Sequence, residues 1–212
     1  MPLRAGKEFV MRGFGKFCII LGVLLGIAAG AWYLYNEIDE QRTRHEAEIA
    51  MTEVQIAVEN ARRNEIRRDG SADRVIDEMQ YIEVDGYRYI GYIHVPKLNL
   101  SLPVQADWDM DKLKISPCRY SGSIVGGNLI IAGHNYKAHF SPLKTLREGA
   151  EIVFEDVQGK KITYTVSQIL EIDGNDAQTM LGNSDSWDLT LFTCNYGGKA
   201  RVTLRCVRED AS

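Results

Sequence analysis

Three side chains in this sequence stand where they could do covalent chemistry. Cys194 follows the apolar run Leu189-Thr190-Leu191-Phe192-Thr193 and precedes a Gly197-Gly198 loop. Period-2 alternation puts Thr190, Phe192 and Cys194 on one face of a strand, and a strand end is a rigid platform open to substrate. A thiol attacks as its thiolate, so it needs a base or a cation nearby. Arg201 opens the next apolar run seven residues on, and a hairpin brings it beside Cys194 when both face the same side. A guanidinium there could lower the thiol pKa or hold the oxyanion of an acyl-transfer intermediate. His134 ends the run Leu129-Ile130-Ile131-Ala132-Gly133 and is followed by polar Asn135 and Tyr136. An imidazole at a strand terminus could act as general acid toward a leaving amine. Each residue also has a plainer reading: Cys194 as a small buried hydrophobe, Arg201 as a surface charge and His134 as a turn histidine. His139 competes with His134, while His94 in a strand run and His45 in a charged stretch read as structural or solvated.

The elements that must position these groups lie in residues 81–212. These 132 residues are enough for one core. Strands are expected over Tyr89–Val95, Leu98–Val104 (with Pro103 marking an edge or bulge), Asn128–Ala132, Ile152–Phe154, Ile162–Ile172, Leu189–Thr193 and Ala200–Val207. Asp156–Lys160 and Asn195–Lys199 read as hairpin turns. Ser141-Pro142 opens a short helical stretch to Leu146. Many short strands at close spacing predict a closed or partly closed barrel.

Composition excludes several classes. Apolar residues at 45% and charged residues at 25% are ordinary globular usage, so a largely disordered chain is ruled out. A net charge of −4 lacks the chain-wide basic balance of a nucleic-acid binder. Four cysteines (Cys18, Cys118, Cys194, Cys206) without a CxxC pair, and four scattered histidines, fit neither a disulfide scaffold nor a zinc site; no cofactor or metal is expected. Cys118 sits in a loop-like stretch after Ser116-Pro117. A Cys118–Cys206 disulfide is an option, with buried free thiols preferred. The Asp107-Trp108-Asp109-Met110-Asp111 cluster could chelate calcium, with solvated acids the default.

The N-terminal third differs in kind. Residues 17–35 carry no charge and span about 28 Å as a helix, close to the ~30 Å hydrocarbon core. Trp32, Tyr33 and Tyr35 cluster at one end, and residues 1–16 hold Arg4, Lys7, Arg12 and Lys16 against Glu8. This predicts a single-pass anchor in membrane lipid, with a basic tail kept in the cytoplasm and the rest exported; a cleaved signal peptide is the rival. Residues 36–80 hold seven Arg, no Lys, twelve acids and no Pro. They predict a long charged helix stopping near Asp69-Gly70, then a short helix over 72–79. The stripe Ile38, Arg42, His45, Ile49, Thr52, Ile56 is only half apolar, so a solvated spacer is preferred to a coiled coil.

Thr190-Leu191-Phe192-Thr193-Cys194 followed by Arg201 resembles the TLxTC…R signature of sortases. Leu129 to Asn135 resembles the strand and histidine of the same family, and Tyr92-Ile93-His94-Val95-Pro96 with Leu102-Pro103-Val104 looks like its opening strands. The similarity covers roughly residues 88–208. It implies a β-barrel of about eight strands with short helices. Carried over, Cys194 is the nucleophile, His134 the general acid/base and Arg201 the group that steadies the tetrahedral intermediate. The implied reaction cleaves an LPxTG-like sorting signal on exported proteins through an acyl-thioester. It then transfers the carboxyl side to an amine of a peptidoglycan precursor or a pilin lysine, as in Gram-positive surface-protein anchoring. Gly133-His134-Asn135 and the long N-terminal helix look class B-like, although Glu171–Asp188 is short for the helix that class inserts, and no DPW- or DPF-like lid precedes the barrel. A non-catalytic exported β domain and a plain cysteine protease are the alternatives.

Overall fold

Short apolar runs that alternate with polar residues cannot each bury a face alone, so they pair. The structure is a computed structural model describing residues 5–65, 75–76, 79–182, 186–195 and 197–209. Eight strands close into a barrel: β1 (Tyr87–Val95), β2 (Leu100–Gln105), β3 (Cys118–Ser123), β4 (Gly127–Ala132), β5 (Glu151–Asp156), β6 (Lys161–Asp173), β7 (Leu189–Cys194) and β8 (Ala200–Arg208). Their order is β1-β2-β3-β4-β7-β8-β6-β5, and β5 pairs back onto β1 from Gly91 with Asp156 to His94 with Val153. The seam closes tightly at Gly91, where φ is +153° and a Cβ would overlap the Glu155 carbonyl; only glycine fits there. Pro103 pairs with Tyr92, and the opposite edge of β2 meets β3 only through Gln105 and Cys118. A strand with one nearly open edge tolerates the missing N–H.

Alternation sorts the side chains into two clusters. Ile93, Val104, Leu129, Ile131, Phe154, Leu189, Leu191 and Leu204 fill the barrel. Full burial of each such side chain is worth roughly 1.5–3 kcal/mol. Ile130, Ala132, Ile172, Met180 and Phe192 point the other way and form a smaller apolar layer with Leu113 and Cys118. Between strands, Pro96–Leu98 and Ser141–Thr145 are 3-10 turns, and α2 (Lys112–Ile115) and α3 (Ala177–Leu181) are single helical turns.

The N-terminal helix, α1, runs over Ala5–Glu65, and the chain divides into compact units between Arg42 and Thr43. In the first unit the apolar side chains from Phe17 to Tyr35, including Leu24, Leu25 and Trp32, are exposed along a helix long and apolar enough to cross a membrane. In the second unit the solvated-spacer expectation is corrected. Ala47, Ala50, Val54 and Val58 are buried, the two valines against Tyr89, Tyr92 and Val157. The stripe read from the sequence is the wrong one: its isoleucines Ile38, Ile49 and Ile56 are all exposed. The packed stripe Ala47, Ala50, Val54, Val58 lies on nearly the opposite face of the helix and is half alanine, the residue that lets a helix approach a sheet closely.

Two further expectations change. The helix expected over 72–79 falls partly outside the described residues; within them, Val75–Ile76 pairs antiparallel with Met79–Gln80. Cys118 is no loop residue but the first residue of β3, paired with Ala132. It and Cys206 are free thiols in separate apolar clusters, so the disulfide option does not form. Burial pushes both thiols up to about 12.

Candidate active site

The site grows from one strand and its two neighbours. On one side of β7 lies β4, parallel to it, with Phe192 beside Ala132 and the Gly133 N–H donating to the Phe192 carbonyl at 3.0 Å. His134 stands two residues past Ala132, as Cys194 stands two residues past Phe192. On the other side β8 runs antiparallel and Cys194 is directly opposite Arg201. Residues paired across antiparallel strands share a face. Imidazole, thiol and guanidinium thus come from three adjacent strand ends, and all three residues line one cleft of about 200 Å³.

Local chemistry explains each placement. Gly133 is required because a Cβ there would overlap the Phe140 ring; Phe140 is buried in the core and its N–H returns to the His134 carbonyl at 3.1 Å. The His134 ring stacks on Tyr136 at 3.8 Å and 15°, which fixes its plane. Arg201 donates from Nη1 to the carbonyls of Gly198 (3.1 Å) and Ala200 (3.4 Å). These bonds hold its fork at the hairpin end, where Gly198 takes φ +69°. The hairpin itself is closed by Asn195 N–H to the Ala200 carbonyl at 2.9 Å.

Some cleft residues were not picked out as functional in the sequence. Trp108 and Met110 come from the acidic cluster and are 41% and 61% exposed, and both line the cleft. Trp108 packs edge-on to Tyr120, and Tyr120 edge-on to Phe192, at 5.4 and 5.3 Å, an aromatic ladder reaching to within two residues of Cys194. The acids between them are used locally. Asp107 accepts from Arg88 Nε at 2.9 Å and pairs with Lys112 at 3.4 Å. Asp109 accepts from two loop N–H groups, and Asp111 pairs with Lys114 at 2.7 Å. Among the described residues no group of three or more His, Cys, Asp or Glu is placed to hold a metal ion. Asn135 lines the cleft, and its carboxamide oxygen accepts from Lys144. Lys144 sits close enough to Cys194 that a thiolate there would favour its ammonium, although burial outweighs this and lowers its pKa. The sequence signal for Lys144 was only its place in the turn after Pro142.

The competing histidines go elsewhere. His94 bonds Ser101 at 2.8 Å and faces Glu155 on the barrel wall. His139 is fully buried, edge-on to Tyr136 at 5.6 Å. Burial pushes its imidazole down from 6.5 to about 4, and the nearby His134 acts in the same direction. The folded chain therefore refuses a proton that the unfolded chain takes up below 6.5. Stability falls as pH drops from 6.5 towards 4, by about 3 kcal/mol in all, and this group adds nothing further below that. Urea unfolding across that range should show the loss, and His139→Leu should flatten it.

A family model described as the sortase domain matches residues 93–209. Among solved structures, sortase C1 of Streptococcus agalactiae in complex with MTSET has a TM-score of 0.55 at 22% identity, covering 78% of this chain and 97% of its own. Sortase C of Clostridium perfringens with the C-terminal cell wall sorting motif gives 0.54 at 23%, covering 79% and 91%. Listeria monocytogenes sortase A gives 0.53 at 22%, covering 57% and 88%. At these identities the likeness is one of fold. No curated protein matches the chain significantly in sequence. The family model spans more than half of the sequence and includes the three strand ends described above: the chain belongs to the sortase family of cysteine transpeptidases.

Proposed function

We propose that this chain is a membrane-anchored sortase that cleaves a sorting signal on exported proteins and transfers the acyl part to an amine. The observation that carries the reading is the pairing of Cys194 with Arg201 across one hairpin, with His134 on the strand at the other side of β7 and all three lining one cleft. The Cys194 thiolate attacks the scissile carbonyl, and Arg201 donates to the oxygen that gains charge. His134 as imidazolium protonates the departing amine, so the C–N bond breaks and a thioester forms. An acceptor amine then attacks the thioester, giving its proton to His134, and the thiolate leaves. No cofactor, metal or nucleic acid enters this sequence of steps.

The sorting motif of LPxTG type, and the acceptor, a peptidoglycan-precursor amine or a pilin lysine, belong to this proposal. Sortase C of C. perfringens was solved with a C-terminal cell wall sorting motif, which supports a peptide in the cleft here. The exposed apolar helix over residues 17–35 supports an anchor in membrane lipid with the basic tail in the cytoplasm and the barrel outside. Gly133-His134-Asn135 and the N-terminal helix support a class B-like member. Among the described residues the β6–β7 connection carries the single turn α3, which sets the chain apart from the usual class B pattern.

The test is product analysis. Full-length protein in detergent is incubated with a sorting-signal peptide, with and without an added amine (triglycine or a lysine peptide). The expected result is amide product at the expense of free acid when amine is present. Free acid alone at every amine concentration would make it a plain cysteine protease, and no cleavage would favour the non-catalytic reading.

A further inference from the structure

Arg205 is a large charged side chain only 2% exposed. Its fork is spent on neutral groups. Nη1 donates to Thr190 Oγ1 at 2.6 Å and the Met180 carbonyl at 3.2 Å, Nη2 donates to the Thr179 carbonyl at 2.7 Å, and the guanidinium lies 4.3 Å above the Trp187 ring. Asn128 works on the same segment from β4. Its amide donates to the carbonyls of Leu181 and Gly182, both at 3.2 Å, and its oxygen accepts from Trp187 Nε1 and Thr190 Oγ1, both at 3.1 Å.

The four carbonyls involved, Thr179 to Gly182, are consecutive and form the C-terminal end of α3. The last four carbonyls of any helix lack intrahelical partners and must find others. Here two side chains supply them all, and a guanidinium is the favourable charge at that end. Beyond them, α3 has one N-terminal cap, Asp176 accepting from the Thr179 N–H at 2.9 Å. A five-residue helix has no stability of its own, so its place is set by what grips it. The gripping residues stand on β4, β7 and β8, the same three strands that carry His134, Cys194 and Arg201. α3 and its cap in turn give Asp176, Ala177 and Met180 to the cleft.

We propose that Asn128 and Arg205, tied together through Thr190, form a polar clip that fixes the α3 wall of the cleft relative to the three strand ends, and so set affinity for the peptide and not the rate of its chemistry. Both are positioning residues. The inference rests on the peptide-cleft reading above. The clip distributes its grip over eight hydrogen bonds, so loosening it moves the wall while the hairpin pairing of Cys194 with Arg201 stays intact.

The experiment is steady-state cleavage of a fluorogenic LPxTG-type peptide by the full chain and by Asn128→Gly and Arg205→Lys. Asn128 has φ +50°, which glycine adopts freely, so its replacement removes the carboxamide without backbone strain. Arg205→Lys keeps the charge and loses the fork. Each variant should raise KM about 10-fold with kcat within about 2-fold. An unchanged KM, or a loss that falls on kcat, overturns the proposal. Hydrogen exchange at the amides of 179–182 is the readout that does not need turnover. It should quicken in Asn128→Gly, and unchanged protection there overturns the clip even if the wild-type chain cleaves no peptide. Failure of the wild-type chain to cleave, with exchange quickened as expected, would overturn the peptide reading and the affinity role with it, leaving the clip as a structural device. Should Arg205→Lys fail to fold, Asn128→Gly decides alone.

Discussion

Cys194→Ala eliminates cleavage of sorting-signal peptides and leaves the barrel folded. The two halves of this expectation have separate physical grounds. The sulfur is the only atom that forms a bond to substrate in the proposed mechanism, so its loss closes the covalent route. The rate should fall at least ~10³-fold, with any residue of activity coming from binding and polarisation alone. The fold survives because Cys194 is the last residue of β7 and only partly buried. Trimming a sulfur there leaves no sealed cavity and costs below about 1 kcal/mol. Chromatographic assay of the peptide beside circular dichroism of the variant checks both. A variant that still cleaves at near the wild-type rate points to a different nucleophile. Cys118 and Cys206 are poor replacements, being buried with thiol pKa values of about 12.

Arg201→Lys is expected to be nearly as damaging, lowering kcat/KM by about 10²–10³-fold. The charge is kept, so the prediction isolates geometry. In the wild-type chain Nη1 of the guanidinium is already occupied by the Gly198 and Ala200 carbonyls, which holds its plane while the residue lines the cleft. An ammonium on a flexible stem can satisfy the hairpin carbonyls or the oxyanion, but it has no rigid fork to do both. The loss should appear in kcat as much as in kcat/KM, because the bond to the oxygen strengthens only as charge develops. Full activity in Arg201→Lys would reduce the residue to a source of positive potential.

The strands were largely legible because alternation and β-branched runs state their own period, and seven of the eight barrel strands have both ends within two residues of the runs read from the sequence. The strand-end setting of Cys194 and His134 was legible for the same reason: an apolar run that stops at a glycine announces its terminus. β3 was not, because Arg119-Tyr120-Ser121-Gly122-Ser123 has no apolar rhythm and its pairing with β4 shifts register twice. The packed part of the N-terminal helix was hidden by its alanines, which carry little hydrophobic signal yet are what close packing requires. Long-range polar geometry left no trace at all. Arg205 reads as one more arginine on a strand, Asn128 as the first residue of a strand, and Lys144 as one residue of a short helical stretch. What distinguishes them is which carbonyls or side chains the fold brings within 3 Å or so of each, across 53 residues for Asn128, 26 for Arg205 and nine, past a strand end and a loop, for Lys144. The aromatic wall was masked in another way: Trp108 and Met110 stand among three aspartates read by default as a solvated acidic loop, which gives no hint of a wall; each acid is in fact satisfied within its own loop or by a neighbouring base.

The central claim is that the sulfur of Cys194 carries the acyl group between donor and acceptor. The most direct measurement is peptide-mapping mass spectrometry of the full chain, quenched in acid after mixing with a sorting-signal peptide and no added amine. The predicted result is a mass increase equal to the acyl half of the cleaved peptide, located on the fragment containing Cys194. It should be removed by hydroxylamine and discharged by an acceptor amine. An adduct on any other residue, or cleavage that proceeds with no adduct on Cys194 at any quench time, would contradict it.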